Sequence, residues 1–150
     1  MPRSTKYVIA LTAALGLFPV ALDSTIVNVA IVPISKALAS DVNTIQWIFL
    51  GYLLANAAVV PLSGYLANRF GAKRLFLLGI ALFTLFSLLC GVAPSEAWLI
   101  TFRVLQGLGG GMLVPLGMAI ALQPFGTAER GKAMAVVAVP VLLAPVVGPI

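Results

Sequence analysis

One cysteine and no histidine stand in the 150 residues. A disulfide within the chain is excluded, and a Cys/His metal centre has no ligands to draw on. Charge is scarce as well: 9% of residues are charged, nine basic and four acidic. A soluble domain carries about 25% charged residues, and a globule of this length cannot cover itself with polar surface from so few. What fills the space is apolar. Hydrophobic residues make up 61%, where soluble domains reach roughly 45–50% even with Gly counted. The chain is therefore composed for a hydrocarbon solvent. Its net charge of +5 does not mark a nucleic-acid binder, because the basic residues lie between apolar runs rather than on one patch. No nucleophile–base pair is visible, which speaks against an enzyme.

Five apolar runs follow one another at 7–32, 45–67, 75–93, 97–122 and 133–150. A helix needs roughly 20 residues to cross a bilayer core, and each run reaches or nearly reaches that. Barrel strands alternate over about ten residues, whereas these runs are apolar on every side, so helices are expected. Of the nine basic residues, Arg3, Lys6, Arg69, Lys73, Arg74, Arg130 and Lys132 fall on one side of the implied membrane, and Lys36 on the other. That asymmetry places the N-terminus in the cytoplasm, with Trp47 and Trp98 at the outer ends of spans. The first run is too long for the apolar part of a cleaved signal and holds Asp23 and Asn28. Because the fifth run stops without a polar tail, the chain is expected to be a piece of a longer membrane protein, incomplete without its remaining helices.

Only Asp23 and Arg103 carry charge inside the runs. A charge at the bilayer centre costs about 2.5–3.5 kcal/mol on insertion scales, so such residues face a protein interior or a wet cavity. At 1.5 Å per residue, Asp23 lies roughly 22 Å above the inner start of its run and Arg103 roughly 9 Å below the outer start of its own. In a core of about 30 Å these are similar heights, and contact is open to them. Separate snorkelling to the outer interface is the competing expectation. Ser24, Thr25 and Asn28 widen the polar face around Asp23. Tyr52, Asn56 and Ser63 make a thinner stripe on the second run, and Arg103, Gln106, Gly107 and Gly110 share a face on the fourth. Thr25, Asn28, Tyr52, Asn56 and Gln106 are candidate cavity-lining residues. Hydrogen-bond glue between helices is the alternative for Tyr52, Asn56 and Ser63.

The run of glycines at Gly107 and Gly109–Gly111 follows no strand, which rejects a phosphate-binding loop. Gly107 and Gly111 instead form a small-xxx-small pair suited to close helix approach. Pro140, Pro145 and Pro149 crowd the fifth run beside Ala144 and Gly148. Each proline removes a backbone donor, so a bent, closely packed helix is expected there. In the connector after the second run, Gly71 permits a tight turn. The cations around it suit anionic headgroups or the carbonyl end of a neighbouring helix.

These segments resemble the major facilitator superfamily, and within it the drug:proton antiporters of the fourteen-span type. Leu22-Asp23-Ser24-Thr25-Ile26-Val27-Asn28-Val29-Ala30 is similar to that group's first-helix motif. Gly64-Tyr65-Leu66-Ala67-Asn68-Arg69-Phe70-Gly71-Ala72-Lys73-Arg74 is similar to the superfamily's loop between helices two and three. Leu99-Ile100-Thr101-Phe102-Arg103-Val104-Leu105-Gln106-Gly107 resembles its fourth-helix motif, and Ala144-Pro145-Val146-Val147-Gly148-Pro149 the start of the fifth-helix antiporter motif. The resemblance implies an all-α, polytopic bundle of which this chain is the first five helices of an N-terminal six-helix half. It also implies alternating access across the plasma (inner) membrane.

By the same resemblance, Gly64, Asn68, Arg69, Gly71, Lys73 and Arg74 form a conformational-switch loop, and Pro145, Gly148 and Pro149 a seal against proton leak. The loop usually carries an aspartate where this chain has Asn68, so a charge used for latching is missing. Asp23 suits proton coupling, with Arg103 modulating it: burial favours a neutral carboxyl and an arginine the charged form, and a group between the two changes protonation with its surroundings. The expected activity is proton-driven export of drugs or other amphipathic small molecules, powered by the proton gradient without a cofactor or metal. Carriage of another metabolite, and a non-transporting membrane subunit or remnant, remain open alternatives at this point.

Overall fold

The computed structural model describes residues 3–38 and 41–147. Five long helices account for almost all of them: α1 (Arg3–Leu38), α2 (Val42–Phe70), α3 (Ala72–Gly91), α4 (Glu96–Leu122) and α5 (Arg130–Val147), with one 3-10 turn at Thr127–Glu129. The first two helices outrun their apolar runs at both ends. Nothing in Ser35-Lys36 or Val42-Asn43 breaks a helix, so the backbone continues its own hydrogen bonding beyond the greasy stretch. Among the described residues, four helices are long and apolar enough to cross a membrane, within Ser4–Val27, Asn43–Phe70, Ala72–Gly91 and Glu96–Leu122. α5 begins with Arg130 and Lys132, ahead of the fifth run, and its described part ends at Val147.

The connectors explain where helices stop. Gly71 alone separates α2 from α3, at φ 90° and ψ 130°, a backbone that side-chain-bearing residues avoid. Its N–H still donates to the Ala67 carbonyl (2.9 Å), and its own carbonyl accepts from Leu75 (3.2 Å). α4 opens after Ser95 with Glu96 in its first turn, where a negative charge suits the helix dipole. It ends just ahead of Pro124, which has no N–H with which to continue the helical hydrogen bonding.

α4 is the spine of the bundle. Half of its apolar stretch is buried, against 22–28% for the other three spans. Its glycines make this possible. A Cβ on Gly107 would sit 2.5 Å from the Tyr52 carbonyl oxygen, and one on Gly111 2.5 Å from that of Asn56. The pair therefore presses α4 backbone to backbone against α2, the use expected of small residues where no hydrophobic driving force separates helix from lipid. Gly109 turns the other way, against Phe83 N (2.8 Å from a Cβ) and Gly79 O (3.0 Å) of α3. The glycine run thus serves two interfaces.

α1 meets α5 and α4 through a ladder of small residues. Ala10, Ala13, Ala14 and Leu17 are buried in one cluster with Ala133 and Val137 of α5, Leu113 and Leu116 of α4, and Phe76 and Phe83 of α3. A second, smaller cluster of Ile45, Ile48 and Leu99 caps the end of the bundle that carries the α1–α2 and α3–α4 connectors. The outer faces are apolar: Val8, Leu54, Leu88, Leu142 and Val146 are each more than 60% exposed. An exterior of that kind suits acyl chains rather than water.

Candidate functional site

Asp23 on α1 and Arg103 on α4 meet inside the bundle. Arg103 Nη1 donates to Asp23 Oδ2 at 2.7 Å, and the side chains are 13% and 10% exposed. The two lie at one level, and neither extends alone to an interface. Gln106, three residues along the same face of α4, closes a ring. Its Nε2 donates to Asp23 Oδ1 (3.0 Å), and its Oε1 accepts from Arg103 Nη1 (3.2 Å). Each carboxylate oxygen therefore has its own donor, and the acid is tied to α4 twice. Tyr52 of α2 lies beneath the guanidinium, its ring centre 5.8 Å from Cζ, a cation–π contact of the kind that strengthens away from water. Cys90 of α3 donates from Sγ to Gln106 Oε1 at 3.8 Å. All four of the first helices contribute to one polar cluster.

A chamber of about 450 Å³ adjoins this cluster on the α5 side. Its walls are Leu17, Val20, Ala21 and Ser24 of α1, Tyr52, Leu53 and Asn56 of α2, Val114 and Met118 of α4, and Met134, Val137, Ala138 and Val141 of α5. Among the described residues, no charged side chain lines it. It is a greasy space with three polar handles, the usual make-up of a small-molecule pocket. Between chamber and ion pair lies a narrow space of about 40 Å³ bordered by Asp23, Ser24, Tyr52, Leu53 and Arg103.

The candidate cavity-lining residues divide accordingly. Tyr52 and Asn56 do line the chamber. Gln106 does not: it is fully buried, and the cavity role read from the sequence is corrected to a place within the charge cluster. Its i, i+3 spacing from Arg103 was the available signal, since that spacing puts two side chains on one helix face. Thr25 also misses the chamber wall, and its hydroxyl donates to the Leu22 carbonyl of its own helix (2.8 Å). The side chains of Asn28 and Pro145, and all of Gly148 and Pro149, lie outside the described residues. Ser63 is buried, with its hydroxyl donating to the Val60 carbonyl (2.6 Å).

The α2–α3 junction sits at the opposite end from the Ile45 cluster. Gly64, Asn68, Arg69, Gly71, Lys73 and Arg74 are all exposed, and a Cβ on Gly64 or Gly71 would touch nothing within 4 Å. Arg69 Nη1 donates to the Tyr65 hydroxyl (3.3 Å) and its guanidinium lies over Phe70 (5.7 Å). At the same end, Lys6 pairs with Glu129 at 3.1 Å. This contact spans nearly the whole chain and had no local signal in the sequence. Phe125 supports it, under Lys6 Nζ (5.9 Å) and edge-on to Tyr7 (5.5 Å).

The family model described as Major Facilitator Superfamily matches residues 13–150. Among curated relatives, the multidrug resistance protein B homolog of Mycobacterium tuberculosis is 47% identical over 129 residues, 86% of this chain and 24% of its own length. The multidrug export protein EmrB of Haemophilus influenzae is 42% identical over 144 residues, 95% of this chain and 28% of its own. The fatty acid resistance protein FarB of Neisseria gonorrhoeae is 39% identical over 142 residues, again 95% and 28%. The chain spans about a quarter of the length of the curated relatives it matches.

Proposed function

This chain belongs to the Major Facilitator Superfamily, and on that premise we propose that it forms part of a proton-coupled exporter of amphipathic small molecules. The observation that carries the reading is the buried ring of Asp23, Arg103 and Gln106 beside an uncharged chamber. Relatives named for multidrug export, multidrug resistance and fatty acid resistance support the substrate class. The chamber suits it chemically. Leu17, Val20 and Val137 accept apolar bodies, Met118 and Met134 adapt to different shapes, and Ser24, Tyr52 and Asn56 offer polar contacts.

In this reading the connectors at the basic end face the cytoplasm, as their cations favour, and the protein is a multi-pass resident of the plasma membrane. The proton gradient supplies the energy, with no cofactor. Asp23 is the proton carrier. As a carboxylate it binds α1 to α4 through Arg103 and Gln106. Taking up a proton removes the charge that Arg103 faces and frees the guanidinium to seek another partner. A binding event at one atom thus alters the junction of two helices, which is what alternating access requires of a coupling site. The exposed α2–α3 junction is the surface on which the other half closes, with Asn68 contributing a hydrogen bond where a charge is usual. Pro145, Gly148 and Pro149 keep the drug path closed to protons.

The test uses the full-length protein in vesicles with an imposed pH gradient. Wild type drives drug against its gradient and dissipates the pH difference as it does so. Asp23→Asn inserts normally, still binds drug, and does neither. Unchanged exchange in Asp23→Asn rejects the role given to this residue.

A further inference from the structure

The ion pair has a second space beside it, on the side away from the chamber. A crevice of about 440 Å³ descends from the α3–α4 connector at Ala93, past Ile34 and Leu99, to Asp23 and Arg103. Ser87 and Cys90 of α3 face it as well. The two spaces differ in kind. The chamber has no charged wall, and its polar groups are Ser24, Tyr52 and Asn56. The crevice has both members of the ion pair in its wall and shares no lining residue with the chamber. What separates them is the charge cluster itself, together with Tyr52 and Leu53 around the narrow space.

Arg103 Nη1 serves both Asp23 and Gln106, and its Nε is closed off from water, so water bears on the pair only where the two side chains form the crevice wall. The crevice has room for several waters and offers them Asp23, Ser87 and Arg103 as partners. The groups that can exchange charge with Asp23 there are few. Among the described residues, Arg103 on α4, Tyr52 on α2 and Cys90 on α3 are the ionisable side chains that share its cavities.

We propose that this crevice is a proton port: a water-filled path that connects Asp23 to the outer face, separate from the chamber that takes the drug. The proposal rests on the reading of Asp23 as the coupling acid and adds where its proton travels. The two ligands then reach one site from opposite sides. The drug never has to leave the chamber for Asp23 to exchange its proton, and the helix junction is the only thing they share.

Cys90 is the sole cysteine in the 150 residues and lines the crevice, so it reports on water there. Methanethiosulfonates react with the thiolate, which needs water to form and to be reached. The experiment uses the full-length protein with any other cysteine replaced, and a small membrane-impermeant trimethylammonium methanethiosulfonate added from outside. Cys90 is expected to label, and saturating drug to leave that rate unchanged. A second variant carrying Met134→Cys with Cys90→Ser, placed in the chamber wall, is expected to be protected by drug. In parallel, Ser87→Leu narrows the crevice with an apolar side chain. It is expected to slow pH-driven exchange by about tenfold or more, as apolar constrictions do by excluding water, with drug binding unaltered.

Cys90 unreactive from outside, or protected by drug as fully as the chamber cysteine, overturns the port. So does Ser87→Leu exchanging at the wild-type rate. If Asp23→Asn abolishes coupling and any of those results appears, the port falls and the coupling role stands. If Asp23→Asn exchanges normally, the coupling role falls and takes the port with it, whatever the labelling.

Discussion

Asp23 and Glu129 each meet a cation from a distant part of the sequence, and their settings could hardly differ more. Asp23 and Arg103 lie 2.7 Å apart in the bundle interior, 13% and 10% exposed. Glu129 and Lys6 lie 3.1 Å apart at the basic end, 39% and 23% exposed. The outer pair ties α1 to the start of α5 in reach of water, where attraction is screened and the long side chains lose freedom in pairing. The inner pair gives up water, and Gln106 takes over one of the lost hydrogen bonds to Asp23. Apolar residues in its place would be cheaper for the fold, since buried ion pairs are poor stabilisers by themselves. On the proposed reading the two pairs have different work: one fastens two helices, and the other keeps a titratable group in a place where its charge state matters to the helices around it.

That contrast can be broken from the inside outward. Arg103→Ala has the largest expected effect. It leaves Asp23 without its counter-charge, and losing one partner of a buried pair costs about 3–5 kcal/mol; the unfolding temperature in detergent should fall sharply and export should cease. Arg103→Lys restores a charge but not the planar guanidinium that lies over Tyr52 and sets Nη1 between Asp23 and Gln106, so stability is expected to recover further than transport. Gln106→Leu comes next. It keeps the ion pair and removes the donor to Asp23 Oδ1, for about 1–3 kcal/mol, read as a lower unfolding temperature with slower exchange. Lys6→Ala is the smallest, about 0.2–1 kcal/mol. Its effect should shrink in high salt, and the reversed pair Lys6→Glu with Glu129→Lys should restore stability. An effect of Lys6→Ala on transport as large as that of Arg103→Ala would erase the distinction between the two pairs.

Much of the inner site was legible in the sequence, because charge inside an apolar run is rare enough to be read singly. Helical rise placed Asp23 and Arg103 at one height, and the Gly107–Gly111 spacing marked a close helix approach. What could not be read was direction. A helix that is apolar all round has no stripe to say which face meets which neighbour. Gln106 could thus be assigned to the right face of α4 and still to the wrong surroundings, and Gly109 gave no hint that it served α3 while its neighbours served α2. The Lys6–Glu129 contact was invisible for another reason: its partners are brought together by the packing of α1 on α5, which no local pattern records. The family assignment came from order as much as from chemistry, four segments following one another on successive helices.

As the proposed coupling acid, Asp23 changes its protonation as the drug is bound. Infrared difference spectroscopy of the full-length protein, with and without drug, reads it most directly. A protonated-carboxyl band is expected that changes on drug addition in wild type and is absent from Asp23→Asn. A carboxyl spectrum indifferent to drug, or the same change surviving in Asp23→Asn, would contradict it.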